Sequence, residues 1–392
     1  MEKRYTAGSE LGAIVTAVEA RMAWMLVRLQ KLVEIESPSG DKAAVDAAVD
    51  VVAVWCDALG GKVKRHRQKQ YGDLLEVSFG PAIAGNGSAQ KPVMLLGHLD
   101  TVWEMGTLAK MPWREDKKKI YGPGVYDMKS GVMMALTAVA ALQDLNALEA
   151  PVVLWLVSEE EIGSPISRVL TEKIARECRA VFVMEPAQGL QGAYKTARKG
   201  IANYELRVRG VAAHSGVDFE KGHSAVLELM RLLAKVEKFT DREHGITVNP
   251  GVIGGGTRSN VIAAEAWADV DVRIAKASDA KRVEKMFRGL QCKDKHCALT
   301  VTGGMNRPPM ERKAGTIALF RRARAIALEM GFALEEAATG GGSDGNFTAG
   351  VGTPTLDGMG AVGEGAHAPH ESVMKDLLVG RTALLAAMIA GM

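Results

Sequence analysis

Apolar side chains recur every three or four positions in several segments of the chain, the spacing that places them on one face of an α-helix. Amphipathic helices are therefore predicted over residues 14–36, 41–59, 224–239, 277–290, 312–330 and 373–391, and a helix that is apolar on every side over 130–144. Shorter apolar runs predict buried strands at Pro92–Leu96, Val152–Val157 and Ala180–Met184. Strands that alternate with helices are typical of an α/β fold with a mainly parallel central sheet.

The pattern changes between residues 197 and 309. Strands with alternating apolar and polar residues are predicted there at Ala202–Arg209, Val248–Ile253, Ala264–Ile274 and near 298–303. With the two helices between them, they give the order strand–helix–strand–strand–helix–strand, a split βαβ arrangement. We therefore predict a discontinuous α/β domain, residues 1–196 and 310–392, and an inserted α+β domain, residues 197–309.

The composition is that of an ordinary globular protein and excludes several functional classes. Of the 392 residues, 47% are hydrophobic and 24% charged, so the chain can bury a sizeable core without disulfides. The net charge of +3 does not favour nucleic acid or a membrane surface as a partner. Glycine is the one biased count, at 43 residues, and predicts many tight turns.

We predict a cytoplasmic protein, because the sequence shows no recognisable secretory signal and its cysteines are spaced as free thiols. The polar segment Met1–Glu10 lacks the apolar core of a secretory signal, and apolar runs such as Val132–Leu142 are too short to span a bilayer. The four cysteines do not follow a common zinc motif, and this includes the pair Cys292 and Cys297 with His296 between them. Reduced cysteines fit a cytosolic compartment.

His98 and Asp100 follow the first buried strand of the α/β domain. In extended backbone, residues two apart share a face and lie about 6–7 Å apart. Asp100 is therefore expected to hydrogen-bond the nitrogen of His98 that does not bind a metal and so to fix its tautomer. The alternative is a buried histidine that is satisfied by a neighbour and has no further role.

Further potential ligands stand at comparable places along the chain. Asp127 lies in a glycine-flanked turn before an apolar helix, an acidic run ending in Glu160 and Glu161 follows one buried strand, and Glu185 follows the next. Buried strand ends are costly places for carboxylates unless these are paired or bind a metal, and ligands bind at the carboxyl ends of parallel strands. Together with His367, which lies in a Gly/Ala-rich segment, these acidic residues predict a metal site. The acidic run alone also fits a solvated turn.

Three segments together resemble the M20 metallopeptidase family, and within it the glutamate carboxypeptidases of the carboxypeptidase G2-like kind. They are Gly97–Val102, Gly122–Gly131 and Ser158–Ser164, and the resemblance extends from about residue 25 to the end of the chain. It implies a zinc-exopeptidase-like α/β main domain and an inserted dimerisation or lid domain.

The resemblance implies five ligands for two zinc ions, with Asp127 bridging, His98 and Glu185 completing one site, and Glu161 and His367 completing the other. Two divalent cations contribute +4, and three carboxylates with one hydroxide contribute −4, so such a centre is neutral and can be buried. Cobalt and manganese also suit histidine and carboxylate ligands.

The same resemblance assigns Glu160 as the general base and Asp100 as the residue that orients His98. It also implies a cis peptide between Asp127 and Met128. The chain departs from the family at Met128, where many relatives carry a polar residue. A second departure is His370, which follows the ligand segment and is the alternative to His367 as ligand.

In the inserted domain, His214 resembles the residue that reaches a neighbouring subunit's active site and steadies the tetrahedral oxyanion, which implies a homodimer. Asn260 and Arg273 resemble residues that hold the substrate's free carboxylate, with Gly341 in a nearby glycine-rich loop. The alternative for Arg273 is a salt bridge on the sheet surface. The glycine-rich segment Gly254–Gly256 is alternatively a flexible turn.

The sequence thus predicts an enzyme, a di-zinc hydrolase that cleaves a peptide or amide bond next to a C-terminal amino acid with a free carboxylate. An N-acyl-amino-acid deacylase or a dipeptidase on the same scaffold is the first alternative. A catalytically inactive dimeric binding protein is the second. A dinucleotide-binding enzyme is disfavoured because no Gly-x-Gly-x-x-Gly follows the first strand.

Overall fold

A computed structural model describes residues 10–81 and 90–392 and divides into two compact units. Unit 1 comprises the chain up to Ala197 together with Arg312–Thr339 and Ser343–Met392, and unit 2 comprises Arg198–Glu311 and Gly340–Gly342. The N-terminal residues 1–9, on which the prediction of no secretory signal rests, lie outside the described residues.

The helices, in chain order, are α1 (Glu10–Val33), α2 (Lys42–Ala58), α3 (Ser130–Asp144), α4 (Arg168–Glu177), α5 (Ala225–Val236), α6 (Ala277–Arg288), α7 (Ala314–Glu329), α8 (Gly345–Gly350) and α9 (Leu378–Ala390). The strands are β1 (Lys62–His66), β2 (Leu74–Phe79), β3 (Val93–His98), β4 (Arg114–Glu115), β5 (Lys119–Tyr121), β6 (Val152–Val157), β7 (Ala180–Val183), β8 (Tyr194–Arg198), β9 (Gly200–Arg209), β10 (Thr247–Gly255), β11 (Glu265–Ile274), β12 (Ala298–Arg307), β13 (Glu336–Thr339), β14 (Thr355–Leu356), β15 (Gly363–Glu364) and β16 (Ser372–Met374).

The central sheet of unit 1 has the order β1-β2-β6-β3-β7-β14. Strands β6, β3, β7 and β14 run parallel to one another, whereas β2 pairs antiparallel with both β1 and β6. The α/β prediction is confirmed, with a mixed sheet whose parallel part contains the three apolar runs. Because β3, β6 and β7 are buried along their whole length, their sequences are continuously apolar.

Helices cover both faces of this sheet. Successive residues of β3 enter opposite layers, with Val93 and Leu95 in the core formed with α1, α3 and α9, and Met94 and Leu96 in the core formed with α4. This alternation follows from the two-residue period of a strand. The layered arrangement leaves the carboxyl ends of the parallel strands as the edge from which loops emerge.

Helix α3 is the most deeply buried helix of unit 1, since its residues from Ser130 to Leu142 are all buried. By length and composition alone the 20-residue segment Val125–Asp144, which contains the shorter apolar run Val132–Leu142, is apolar enough to cross a membrane. However, 94% of its most apolar window is buried inside the fold. The segment is therefore accounted for as a core helix.

Unit 2 is a four-stranded antiparallel sheet of order β10-β11-β9-β12 with α5 and α6 against one face. Along β9, residues such as Tyr204 and Leu206 are buried while Asn203 and Arg207 are exposed, which is the predicted alternation. Tyr204 stacks on Phe287 of α6 with ring centroids 3.9 Å apart. The element order is that of the predicted split βαβ arrangement.

Several element ends differ from the sequence prediction. The last helix begins at Leu378 rather than near 373, because Ser372–Met374 forms β16 and pairs with β5. Strand β12 continues to Arg307 and remains paired with β9. The carboxylate of Asp41 caps α2 by accepting from the backbone N–H of Ala44 at 3.1 Å.

Candidate metal centre

Unit 1 brings the five predicted metal ligands together. The Nε2 atom of His98 lies 3.3 Å from Oδ1 of Asp127 and 3.6 Å from Oε1 of Glu185. The Nε2 atom of His367 lies 3.6 Å from Oδ2 of Asp127 and 3.3 Å from Oε2 of Glu161. The two oxygens of Asp127 thus face two different histidines, each of which is paired with a second carboxylate.

The fold explains why these side chains meet. His98 ends β3, Glu161 follows the end of β6, and Glu185 follows the end of β7. These strands are parallel neighbours in the sheet, so their carboxyl ends lie at one edge. Asp127 enters from the turn before α3, and His367 from the segment between β15 and β16.

The donor set fits divalent metal ions. Potential ligand atoms of His98, Asp127 and Glu161 lie within 4.8 Å of one another, as do those of His98, Glu160 and Glu185. Within the described residues, Oε1 of Glu161 is buried and has no hydrogen-bond partner, a costly arrangement that a bound cation would relieve. Imidazole and carboxylate ligands suit zinc, cobalt and manganese.

The charges of the site are strongly coupled. Burial alone would lower the pKa of His98, but the nearby carboxylates of Asp100 and Asp127 raise that pKa well above its usual value. Burial raises the pKa of Glu161, and the hydrogen bond from His367 only partly offsets this effect. Closely spaced buried carboxylates and imidazoles are the electrostatic setting that a metal centre uses.

Asp100 acts differently from the sequence prediction. The Nδ1 atom of His98 lies 2.9 Å from the main-chain oxygen of Asp100 and 3.5 Å from its carboxylate. The carboxylate instead accepts the backbone N–H groups of Glu160 and Glu161, each at 3.2 Å, and the hydroxyl of Ser39 at 2.6 Å. Asp100 therefore fixes the His98 ring through its carbonyl and the glutamate turn through its side chain.

Sequence reasoning missed three polar residues that support the site. Ser39 holds Asp100, and the fully buried Glu159 accepts backbone N–H groups from the glutamate turn and the loop after it. Glu371 accepts N–H groups from the turn that contains Asp127. Glu159 and Glu371 both stand within four residues of a predicted ligand, and that proximity was the available signal.

Two departures from the family pattern have structural explanations. Met128 is buried below β3, where its sulfur lies 3.4 Å from the backbone nitrogen of His98, and the Asp127–Met128 peptide is cis as the resemblance implies. His370 is exposed and forms no ion pair with a carboxylate among the described residues. The structure therefore brings His367, and not His370, to the candidate centre.

The predicted residues of unit 2 form two groups. His214 and Asn260 are both exposed and lie on paired segments, since Val261 forms a β-bridge with His214 and the Asn260 carbonyl accepts the Ser215 N–H at 3.1 Å. The guanidinium of Arg273 binds both carboxylate oxygens of Asp271, at 2.8 and 2.9 Å. The predicted alternative of a salt bridge at Arg273 is thus present.

The glycine-rich loop is bound by arginines of unit 2. Arg273 Nη1 lies 3.4 Å from the Gly340 oxygen, and Arg198 Nη1 lies 3.2 Å from the Gly341 oxygen and 3.1 Å from the Gly342 oxygen. Arg198 is 5% exposed and was not singled out from the sequence.

Two histidines and three carboxylates meet in unit 1, three of them at the carboxyl ends of parallel strands, and this donor set is typical of metallohydrolases. The chain belongs to peptidase family M20/M25/M40, whose family model matches residues 94–391. The resemblance noted in the sequence is thereby confirmed, and the protein is a hydrolytic enzyme of this family.

Individual relatives agree with this assignment. Carboxypeptidase G2 of Pseudomonas sp. (strain RS-16) is 29% identical over 367 residues, covering 92% of this chain and 87% of the relative. Acetylornithine deacetylase of Myxococcus xanthus is 27% identical over 257 residues, covering 62% of this chain and 65% of the relative. The crystal structure of aminopeptidase PepT from Bacillus cereus shares the fold, with a TM-score of 0.75, 21% identity and coverage of 93% and 97%.

Proposed function

We propose that the protein is a di-zinc carboxypeptidase-like hydrolase, which cleaves a peptide or amide bond next to a C-terminal amino acid with a free carboxylate. The observation that supports it most is the placement of Asp127, whose two oxygens face His98 and His367 separately. A carboxylate in that position suits a bridge between two ions. The full-length similarity to carboxypeptidase G2 supports the choice of reaction.

The ligands divide into two sets that share Asp127. His98 and Glu185 would hold one zinc ion with it, and Glu161 and His367 would hold the other. Zinc ions in such a site would polarise the scissile carbonyl and lower the pKa of a water molecule. Two cations, three carboxylates and one hydroxide would sum to zero charge, which favours a centre that is partly buried, as this one is.

Glu160 is the general base of the proposed reaction. Its carboxylate lies within 4.8 Å of ligand atoms of His98 and Glu185, and its backbone N–H is held by Asp100. Glu160 takes the proton of the attacking water and returns it to the leaving nitrogen, the two transfers that amide hydrolysis needs. Asp100 keeps both His98 and the glutamate turn in place during these transfers.

The residues of unit 2 recognise the substrate in this proposal. Asn260, Arg273 and the loop around Gly341 hold the free carboxylate of the C-terminal residue. The bidentate contact with Asp271 fixes the plane of the Arg273 guanidinium, so a second carboxylate meets a preorganised donor. The exposed His214 steadies the tetrahedral oxyanion in a neighbouring subunit's active site.

A homodimer through unit 2 follows from the same proposal. Unit 2 exposes several large apolar side chains, among them Leu227 at 51%, Met230 at 57% and Ile253 at 59% exposure. Apolar surface of this kind favours a protein interface. We place the dimer in the cytoplasm because all four cysteines are free.

Deacylation of an N-acyl amino acid is the second candidate. It is favoured by the similarity to acetylornithine deacetylase of Myxococcus xanthus, and it uses the same centre and the same base. The two candidates differ only in the group attached to the amino acid nitrogen. A dipeptidase on this scaffold would differ from the first candidate in substrate length.

A hydrolysis screen with zinc-loaded protein tests the proposal. Folate-like, dipeptide and N-acetyl substrates are each prepared with a free C-terminal carboxylate and as the matched C-terminal amide. We expect hydrolysis of the free acids only, with the folate-like or peptide set faster than the N-acetyl set. Equal rates on acids and amides would contradict carboxylate recognition, and faster N-acetyl turnover would favour the deacylase.

A further inference from the structure

The buried carboxylate of Glu371 binds four N–H donors in unit 1. Its Oε1 atom accepts the backbone N–H groups of Tyr126 at 2.9 Å and Asp127 at 3.0 Å. Its Oε2 atom accepts the backbone N–H of Gly124 at 2.9 Å and the indole N–H of Trp103 at 2.8 Å. The residue is 1% exposed, so these contacts replace its hydration.

The turn is shaped to present its N–H groups to one carboxylate. Gly124 has φ of +71°, and a Cβ atom there would lie 2.6 Å from the methyl carbon of Thr101. Only glycine adopts this conformation in this space without strain. Successive backbone N–H groups that converge in this way form a concave anion site, which Glu371 fills from within the chain.

Glu371 is also tied to a second predicted ligand. It lies four residues after His367 on the same segment, and the Glu371 N–H donates to the Ala368 carbonyl at 2.9 Å. One carboxylate therefore joins the segment that carries His367 to the turn that carries Asp127. The two ligand side chains face each other at 3.6 Å.

We propose that Glu371 is a positioning residue that holds Asp127 and His367 at the separation needed to bind metal ions. This inference rests on the proposed function, since it concerns the site for two ions. Hydrogen-bonded partners behind metal ligands typically contribute 10–100-fold to metal affinity. Glu371 differs from most such partners because it binds the ligand's backbone rather than its side chain.

The decisive variant is Glu371→Gln. The amide keeps the size of the side chain but turns one acceptor oxygen into a donor, so two of the four N–H donors lose their acceptor. We expect zinc affinity, measured by competition with a chromophoric chelator, to fall by about 10–100-fold. Excess zinc should restore most of kcat, which general damage to the fold would not allow.

Two further variants calibrate this result. Trp103→Phe removes one donor of four and should weaken zinc binding about fivefold, the equivalent of about 1 kcal/mol for one hydrogen bond. If Glu371→Gln does not fold, Trp103→Phe tests the positioning role by itself. An unchanged zinc affinity of Trp103→Phe would then overturn the proposal. Glu364→Gln is the matched control, because Glu364 pairs with Lys119 at the surface and should bind zinc as the wild type does.

The outcomes separate this inference from the proposed function. If the wild-type protein binds two zinc ions and Glu371→Gln binds them equally well, only the positioning role is refuted. Wild-type protein that binds no zinc would refute both the metal centre and the role of Glu371. A circular dichroism spectrum of the metal-free variants confirms that folded proteins are compared.

Discussion

The predicted metal ligands of unit 1 and the predicted substrate residues of unit 2 differ in the contacts that they make within the chain. His98 is 1% exposed and Glu185 7%, and even His367, whose side chain is 51% exposed, faces the carboxylates of Asp127 and Glu161. His214 and Asn260 are exposed: the Nδ1 atom of His214 accepts the Gly216 N–H, and the Asn260 carbonyl accepts the Ser215 N–H. The predicted ligands of unit 1 are therefore already assembled by contacts within one unit, whereas His214 and Asn260 of unit 2 remain accessible.

The largest effect is expected at the unit 1 centre. Replacing Glu160 by alanine should lower kcat by about 10³-fold, because a general base contributes about 10²–10⁴-fold. The variant should still hold about two zinc ions per chain, measured by elemental analysis, since five ligands remain. Glu149→Ala changes an exposed glutamate of the same unit and should keep wild-type rates. Wild-type turnover by the Glu160→Ala protein would contradict the proposed mechanism.

The next effect concerns His214 of unit 2. His214→Ala should lower kcat by about 10²–10³-fold if its imidazole stabilises the oxyanion. His244→Ala, at an exposed histidine paired with Asp241, is the control. Mixing the inactive Glu160→Ala and His214→Ala proteins should recover about a quarter of wild-type activity through heterodimers with one intact site. Absence of any recovery after subunit exchange would show that His214 does not act in a neighbouring subunit.

A smaller effect is expected at Arg273. Loss of a charge-assisted hydrogen bond costs about 1.5–3 kcal/mol, so Arg273→Ala should raise KM for free-acid substrates by about 10–100-fold with little change in kcat. Arg207→Ala, on the exposed face of the same sheet and paired with Glu205, should leave KM unchanged. If KM does not change in Arg273→Ala, the pair with Asp271 is structural and the substrate carboxylate is bound elsewhere.

The smallest effect tests the scaffold of unit 1. Asp73 is fully buried and accepts from Lys42 Nζ at 2.8 Å, Arg65 Nε at 2.6 Å and the Gln68 N–H at 2.8 Å. Burial opposes ionisation, but these donors lower the pKa of Asp73 below its usual value. Asp73→Asn should therefore reduce the free energy of unfolding at pH 7 by about 2 kcal/mol.

The pH dependence of this stability has a definite sign. Because the folded pKa of Asp73 is depressed, its stabilisation is present above the unfolded pKa of about 3.9 and is lost as the pH falls through the folded value. The difference between wild type and Asp73→Asn should shrink below about pH 4 in urea unfolding curves. Asp57→Asn, at an exposed helix position, should show no such difference, and a constant difference at Asp73 down to pH 2 would contradict the account.

The sequence predicted those parts of the fold and candidate site that depend on local patterns. Continuous apolar runs located β3, β6 and β7, and the polar residues after these strands included His98, Glu161 and Glu185. The alternation in β9 and β11 located the second sheet. These features follow from burial on one or both faces of a strand, which is visible in a single segment.

The remaining features depend on contacts between distant segments. Ser39 binds Asp100 across 61 residues, and Glu371 binds Gly124 across 247 residues. The start of α9 moved to Leu378 because β16 pairs with β5, more than 250 residues earlier in the chain. The periodicity of apolar residues within one segment carries no information about such contacts between distant segments. The Asp271–Arg273 pair, in contrast, spans two residues on one strand face, and a salt bridge at Arg273 with no partner named was among the predicted alternatives.

The most direct test of the central claim is anomalous diffraction from crystals of the zinc-loaded protein at the zinc absorption edge. The account predicts two peaks in unit 1, both in contact with Asp127, one beside His98 and Glu185 and the other beside Glu161 and His367. A separation of about 3.5–4 Å is expected for a shared pair of ions. A single peak, or peaks that avoid Asp127, would contradict the di-metal centre on which the proposed reaction depends.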